Sequence, residues 1–407
     1  MNAIFVNYAH PDALHVSGVR VPRFADALAR RGHRIVLLTP TLRHDESGRG
    51  AGDLSRVIDA HGWQQPLSLA YRPVSRRSLD LLRSGRLPGP ASKLVTLYHL
   101  LVHGGVHEDW VEASRPSWGA ITARLRPDVV WTTFGHTSNL LLGKKLARLA
   151  GCKWVADIKD NLDVFVPRAV RPALRRRLSG CAAVTSNAHK HAQVAERFFR
   201  RPCVVVESGV SKELLATVAA PSDPDVFGVL LVGSVYRDDT CLEFLTAVGD
   251  WWRAQQGPTA PRVELHYAGA DEARVLRLAT VAGVDRLLKP HGYLPLDRLA
   301  AVGKAAAVNC YIWAGFGFHH KLLELLSLGV PVLAYAGESA ESKTLAADLD
   351  GELHAPTTPG ALTEAIGGIY ARWRAGDRPS LSPRLGGLSW EAQAEKLEAV
   401  LEEAAGR

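Results

Sequence analysis

Between residues 316 and 335 the chain reads FGFHHKLLELLSLGVPVLAY, and Lys321 and Glu324 within it are the side chains best spaced to do chemistry. A spacing of i, i+3 puts the ammonium and the carboxylate on one helical face, a single turn apart. Backbone N–H groups and the positive dipole end also point out of a helix start, which makes that end an anion site. A cation for phosphate and a carboxylate for sugar hydroxyls, held together there, suit a nucleotide-sugar. An amphipathic helix carrying a surface ion pair accounts for the same two residues.

The elements that must position this pair follow from hydrophobic patterning. Residues 3–8 read as a strand, 10–18 as a turn-rich loop, 21–31 as a helix ending at Gly32, and 35–39 as a buried strand. This βαβ unit implies a parallel sheet covered by helices on both faces. Strands at 129–133, 154–158, 182–186 and 204–207 continue it, with helices at 138–149 and 190–199. Residues 43–125 are less regular and read as inserted helices. The string ATVAAPSDPDV at 216–226 marks a linker by its small residues, prolines and aspartates. Strand–helix alternation then restarts. Strands fall at 228–232, 263–268, 289–293, 307–312 and 330–335, with helices at 240–255, 273–282, 296–303, 321–328, 362–374 and 391–404. The reading is α/β: two doubly wound, Rossmann-like domains facing each other across a cleft, with ligands at the carboxyl ends of strands.

The 407 residues suffice for two ordinary domains, and 47% hydrophobic with 22% charged residues is a globular composition. No apolar run approaches the roughly 20 residues of a membrane span. MNAIFVNYAHP has no basic n-region or following h-region, which argues against a secretory signal. Five scattered cysteines point to a reducing compartment without a disulfide framework. The net charge of +8 favours a polyanionic partner. Arg72, Arg76, Arg77, Arg83, Arg86 and Lys93 face only Asp80, and Arg168, Arg171, Arg175, Arg176 and Arg177 face no acid in their segment. The chain is rich in Ala and Arg with a single Met, so coding bias discounts these clusters. Arginines and leucines between 76 and 86 mix as on a helix lying on an anionic membrane, although a solvated helix face has the same composition. Neither cluster is interleaved with aromatic stacking residues, which disfavours nucleic acid.

Several familiar chemistries find no motif. Gly315-Phe316-Gly317 lacks the third glycine and the later acid of a dinucleotide fingerprint, and no phosphate-cradling Gly-Lys-Ser/Thr loop or Gly-x-Ser-x-Gly elbow is present. His99, His103 and His107 recur every fourth residue, but Gly104 and Gly105 interrupt their helix, so a metal reading is disfavoured.

Over nearly its whole length the chain resembles the family-4-like retaining glycosyltransferases of the GT-B fold. The strings that carry the likeness are HVSGVRVPRFADALARRGHRIVLLTP, RPDVVWTTFGHTSNLLLGKKLA, WVADIKDNLDVF, VVVESGVSKEL, GSVYRDD and HGYLP. The resemblance implies a nucleotide-sugar substrate, retention of anomeric configuration, and neither metal nor other cofactor. Its donor-binding positions would be Gly18, Gly233, Ser234, Arg237, His319, Lys321, Leu322 and Glu324. Its catalytic positions would be His136, Asp160, Arg237 and Lys321. Asp157-Ile158-Lys159-Asp160 stands where the family has Asp-x-Arg-Asp. The diphosphate loop departs, with Ser234 and Asp239 where an Arg and a Lys are common. Phe316 stands eight residues before Glu324 where the family has its first Glu, so the donor-sugar contact differs.

The chemistry stands without the family name. Breaking a sugar–phosphate bond builds negative charge on the leaving diphosphate, and a fixed cation there contributes roughly 3 kcal/mol. Arg237 and Lys321 are the candidate cations. No carboxylate nucleophile is evident, so front-face attack by the acceptor hydroxyl is expected, with Asp160 or His136 positioning or deprotonating it.

The expected organisation is an acceptor domain over 1–215, a linker over 216–226 and a donor domain over 227–375. A C-terminal helix over 376–407 is expected to cross back onto the first domain. The expected function is transfer of a hexose-type unit to a glycan or lipid-linked acceptor in envelope polysaccharide or glycolipid assembly. The setting would be cytoplasmic, at the inner membrane face where Arg76, Arg77, Arg83 and Arg86 meet anionic lipid or the acceptor. A non-catalytic nucleotide-sugar-binding subunit, or a nucleotide-sugar epimerase of the same fold, are the alternatives.

Overall fold

Ile4 and Val6 of the first strand enter one apolar cluster, while their neighbours Ala3 and Phe5 enter another. Successive side chains of a strand point to opposite faces, so this strand is buried on both sides. The computed structural model describes residues 1–13, 17–42, 51–221, 223–255, 262–313, 320–377 and 383–407. Seven strands form the first sheet: β1 (Asn2–Val6), β2 (Arg34–Pro40), β3 (Leu67–Tyr71), β4 (Val129–Phe134), β5 (Lys153–Ile158), β6 (Ala183–Ser186) and β7 (Cys203–Val205). Six form the second: β8 (Val226–Val232), β9 (Arg262–Ala268), β10 (Leu288–Pro290), β11 (Val308–Ile312), β12 (Val332–Tyr335) and β13 (Leu353–His354).

All the pairings are parallel. The strand orders are β3-β2-β1-β4-β5-β6-β7 and β10-β9-β8-β11-β12-β13. Each order reverses direction once, between β1 and β4 in the first sheet and between β8 and β11 in the second. Loops leaving those paired strands diverge to opposite faces and open a crevice, the usual ligand position in such sheets.

The chain divides into two compact units, 1–209 with 390–407 and 210–389. The composition shift at 216–226 therefore lies inside the second unit and not between the two. Val210 N–H donates to the Leu388 carbonyl, Ala220 N–H to that of Ala301, and Lys304 Nζ to those of Leu215 and Thr217. These bonds fasten 210–220 to the second unit.

The C-terminal helix Trp390–Ala405 belongs to the first unit. Phe24 bridges Trp131 and Trp390 edge-on, at ring-centroid distances of 5.8 and 5.3 Å. Gly209 fits only because it lacks a side chain: a Cβ there would stand 2.5 Å from the Trp390 backbone. A fully buried side chain of this size stabilises by about 1.5–3 kcal/mol, so Trp390 anchors the helix. Arg31 Nε to Glu398 at 2.6 Å and Lys396 Nζ to Glu207 at 3.1 Å add polar ties.

Residues 43–125, read as helical insertions, also supply the edge strand β3. Its burial alternates along Leu67–Tyr71, a half-covered edge pattern too short to stand out beside the helices around it. No helix among the described residues is long and apolar enough to cross a membrane.

Candidate functional site

In the first unit the candidate groups gather at the carboxyl ends of β1, β4 and β5. Lys159 is their hub. Its ammonium donates to Ser17 Oγ at 2.7 Å, to Asp160 Oδ2 at 2.8 Å and to Tyr8 Oη at 3.2 Å. Burial lowers its pKa, but the Asp160 carboxylate and the Tyr8 hydroxyl outweigh that and hold it above the usual lysine value. Tyr8 Oη and Ser17 Oγ are hydrogen-bonded in turn. The Tyr8 ring lies so close to Gly135 that a Cβ there would be 1.7 Å from it. That glycine lets Tyr8 pack edge-on against His136, with ring centroids 5.1 Å apart.

His136 also packs against His107, with ring centroids 3.8 Å apart and the planes tilted by 34°. Burial pushes both imidazoles down to about 3. For His136 the neighbouring His107 adds to the effect. Both are therefore neutral near pH 7, able to accept a hydrogen bond but too weakly basic to hold a proton there.

Asp157, the other acid of the Asp-Ile-Lys-Asp string, is fully buried beneath this cluster. It accepts from Arg20 at 3.0 and 3.3 Å, from Thr133 Oγ1 at 2.9 Å and from Thr185 Oγ1 at 2.9 Å. Arg20 also donates to the Val206 carbonyl at 2.9 Å. Such a saturated pair tethers the helix Ser17–Arg30 to β4, β5 and β6. Gly18 sits where the loop folds back, and a Cβ there would meet the His10 carbonyl at 2.8 Å and that of Ala13 at 2.9 Å. Its smallness is required by the chain's own backbone.

In the second unit Gly233 ends β8 with φ +96°. A Cβ on it would stand 1.8 Å from Lys321 Nζ. Lys321, at the start of the helix His320–Leu326, thus reaches back to the β8 carboxyl end, at the point where the strand order reverses. Burial pushes its ammonium down to about 8, partly offset by Glu324 and Asp271. Its Nζ also lies 5.9 Å from the Tyr236 ring centroid. Asp271 Oδ2 accepts from Val235 N–H at 2.9 Å, and Tyr267 Oη donates to the Gly233 carbonyl at 2.8 Å. Gly269 N–H donates to the Gly292 carbonyl at 2.9 Å, which holds the HGYLP loop beside this corner.

Glu324 lies 3.2 Å from His320 Nε2 one turn back along the helix. Leu322 is fully buried, a packing residue. Ser234 is exposed at the β8 loop. Arg237 points outward with 66% of its side chain exposed and pairs with Asp239. Arg274 pairs with Asp238, so both first-turn carboxylates of the helix Asp238–Ala254 have arginine partners. His319 and the Gly315-Phe316-Gly317 string lie outside the described residues.

The basic segment at 76–86 divides in two. Arg76 pairs with Glu112 and lies 3.6 Å from Glu108, and Arg83 grips Asp109 through two bonds of 2.6 and 2.7 Å. Arg77 and Arg86 are exposed and have no ion pair among the described residues. His99 and His103 flank Glu108 at 3.1 and 2.6 Å, whereas His107 has turned away to His136. The Arg76 guanidinium beside Glu108 makes that cluster a poor cation seat.

Tyr8, Ser17, Arg20, Tyr236 and Asp271 were not singled out from sequence. Arg20 and Asp157 lie 137 positions apart, beyond any local pattern. Asp271 follows β9 by three residues, and a strand-end acid was the available signal.

No family model and no curated protein matches the sequence. Solved structures do. Sucrose-phosphate synthase from Thermosynechococcus elongatus is similar at a TM-score of 0.70 and 17% identity, over 98% of both chains. The fold is GT-B. Anabaena HepE, solved with UDP and glucose, superposes at a TM-score of 0.61 and 13% identity over 98% of this chain and 99% of its own. A candidate UDP-N-acetylglucosamine 2-epimerase from Listeria monocytogenes gives 0.60 and 10% identity, over 98% of this chain and 95% of its own. At these identities the likeness speaks for the fold. Each sheet of this GT-B chain carries its candidate polar groups at the strand-order reversal, which is where the topology opens a crevice.

Proposed function

We propose that the protein is a glycosyltransferase that takes a hexose-type unit from a nucleoside-diphosphate sugar. The observation that carries this reading is the Lys321 ammonium held against side-chain-free Gly233 at the end of β8. A glycine there lets a ligand approach the backbone closely, and the lysine supplies a compact positive charge beside it. A leaving diphosphate bound at that corner would meet its developing charge with Lys321 and the Ser234 backbone N–H, since the Gly233 and Val235 N–H groups donate to the Ala268 carbonyl and to Asp271. Glu324 would take ribose hydroxyls. Arg237 would join only by leaving Asp239.

In the first unit, neutral His136 would accept a hydrogen bond from the acceptor hydroxyl, and Asp160, fixed by Lys159, would orient it. Transfer would proceed with retention and without a bound metal, by front-face attack of the acceptor hydroxyl on the donor sugar. The acceptor side would include lipid-linked glycans. The segment Gly89–Tyr98 and the turn after it leave Leu94, Leu97, Tyr98, Leu101 and Val102 between 40 and 68% exposed. Arg77, Arg86 and Lys93, without ion pairs among the described residues, complement an anionic bilayer beside that apolar face. Envelope polysaccharide or glycolipid assembly at the cytoplasmic membrane surface is the corresponding setting.

One observation favours a second reading. The Arg237–Asp239 pairing removes a cation from the diphosphate loop, as a nucleotide-sugar-binding subunit without turnover would tolerate. Melting in the presence of UDP, GDP and ADP tests the shared premise: one of them raises the melting temperature of the wild type but not of Lys321→Ala. No shift with any nucleotide would remove the donor site from both readings.

A further inference from the structure

The carboxyl ends of the first sheet hold the groups described above, but its opposite edge carries a different feature. Arg175 and Arg176 close the helix Arg171–Arg177, and residues 178–181 then lead into the amino end of β6. Arg200 and Arg201 follow the helix His189–Phe199 and lead into the amino end of β7. These four arginines line one pocket of ≈ 320 Å³, floored by Leu178 and Phe199. None of its lining residues is acidic. Among the described residues none of the four makes an ion pair, whereas Arg171 on the same helix is paired with Asp163 at 2.5 Å.

Four positive charges converging without a carboxylate repel one another, and the native fold nonetheless keeps them together. Arg201 is held by a bond from its guanidinium to the Ala182 carbonyl at 2.5 Å, which aims rather than neutralises it. Arg200 is the left-handed cap at φ 55° that ends the helix His189–Phe199, its N–H donating to the Glu196 carbonyl, and it stands at the pocket rim. The volume is that of a small-ligand site. Guanidinium forks match phosphate oxygens two at a time.

We propose that this pocket binds a phosphate-bearing anion of at least two negative charges, at a site separate from Lys321. All strands of the sheet run parallel, so the amino ends of β6 and β7 lie on the far side from Tyr8, His136 and Asp160. The anion is either a soluble phosphate compound or the phosphate of a lipid headgroup. Both present the same chemistry to the arginines. The inference does not depend on the donor reading.

Titration calorimetry of the full-length Lys321→Ala chain with inorganic pyrophosphate isolates the pocket from the proposed donor corner. The expected result is saturable, salt-sensitive binding that weakens roughly tenfold to a hundredfold when Arg175→Gln and Arg200→Gln are added. Unchanged circular dichroism and a melting temperature no lower than that of Lys321→Ala, as expected when two mutually repelling charges are removed, exclude misfolding of that variant. Sedimentation with phosphatidylcholine vesicles containing phosphatidylglycerol separates the sources. Vesicle binding that pyrophosphate displaces identifies a headgroup, and pyrophosphate binding without arginine-dependent vesicle binding identifies a soluble anion. Absence of pyrophosphate binding in Lys321→Ala, or equal affinity with and without the arginine substitutions, overturns the proposal.

Discussion

The Lys321 ammonium occupies the space into which a Gly233 side chain would project, 1.8 Å from where its Cβ would stand. Gly233→Ala therefore displaces the lysine and strains a backbone already at φ +96°. The expected cost is about 1–3 kcal/mol of stability. Nucleotide-dependent melting shifts should vanish while the circular dichroism of the fold persists.

Lys321, pushed down to about 8 by burial, binds anions in its protonated form. Nucleoside-diphosphate affinity should thus fall about tenfold per unit once pH passes roughly 8. Between that value and the ordinary lysine range the unfolded chain holds more protons than the folded one, so the lysine's contribution to stability rises with pH there. Lys321→Met should accordingly stabilise the ligand-free protein near neutrality, by up to about 3 kcal/mol. Urea unfolding at two pH values checks both signs.

Arg20 and Asp157 form a pair with side chains only 3% and 0% exposed. Asp157→Ala leaves a buried guanidinium uncompensated and should cost about 3–5 kcal/mol. The loss belongs in the melting temperature, so reduced turnover in that variant reports instability.

His107 and His136 are neutral in the folded state, their pKa values pushed to about 3 by burial. Unfolded imidazoles titrate near 6.5, so the unfolded chain binds more protons below that pH and acid erodes stability through the window down to about 3. At pH 5 each contributes a loss of about 2 kcal/mol relative to neutrality. His107→Phe should flatten the fall in melting temperature between pH 7 and pH 5, which a pH series of thermal melts measures.

The exposed row Leu94, Leu97, Leu101 and Val102 predicts salt-sensitive flotation with anionic vesicles. Leu97→Asp with Leu101→Asp should abolish it without altering the melt. Equal flotation of variant and wild type would exclude this face as the membrane contact.

Strand and helix positions were legible because parallel sheets buried on both faces write continuous apolar runs, as at β4 and β8. The edge strand β3 and the helix Ala340–Asp348 were not, since neither carries a strong period. Lys321 was legible from its spacing to Glu324, but its partner is Gly233, 88 positions earlier and joined to it only by the fold. Arg76 and Arg83 read as free cations in sequence because Glu112 and Asp109, which hold them, come from the helix Glu108–Ser114. The contact of His107 with His136 likewise arises from chain return and not from the every-fourth-residue spacing that drew attention to His107.

Whether the corner of Gly233 and Lys321 activates a nucleotide-sugar is decided by donor hydrolysis. UDP-, GDP- and ADP-sugars incubated with wild type, Lys321→Ala and Glu324→Ala should give slow release of free sugar from one donor. That release should fall by roughly a hundredfold on loss of the lysine, the effect of removing one charge-stabilising group. Release unaffected by Lys321→Ala, or no turnover of any donor with or without acceptor, would contradict the account.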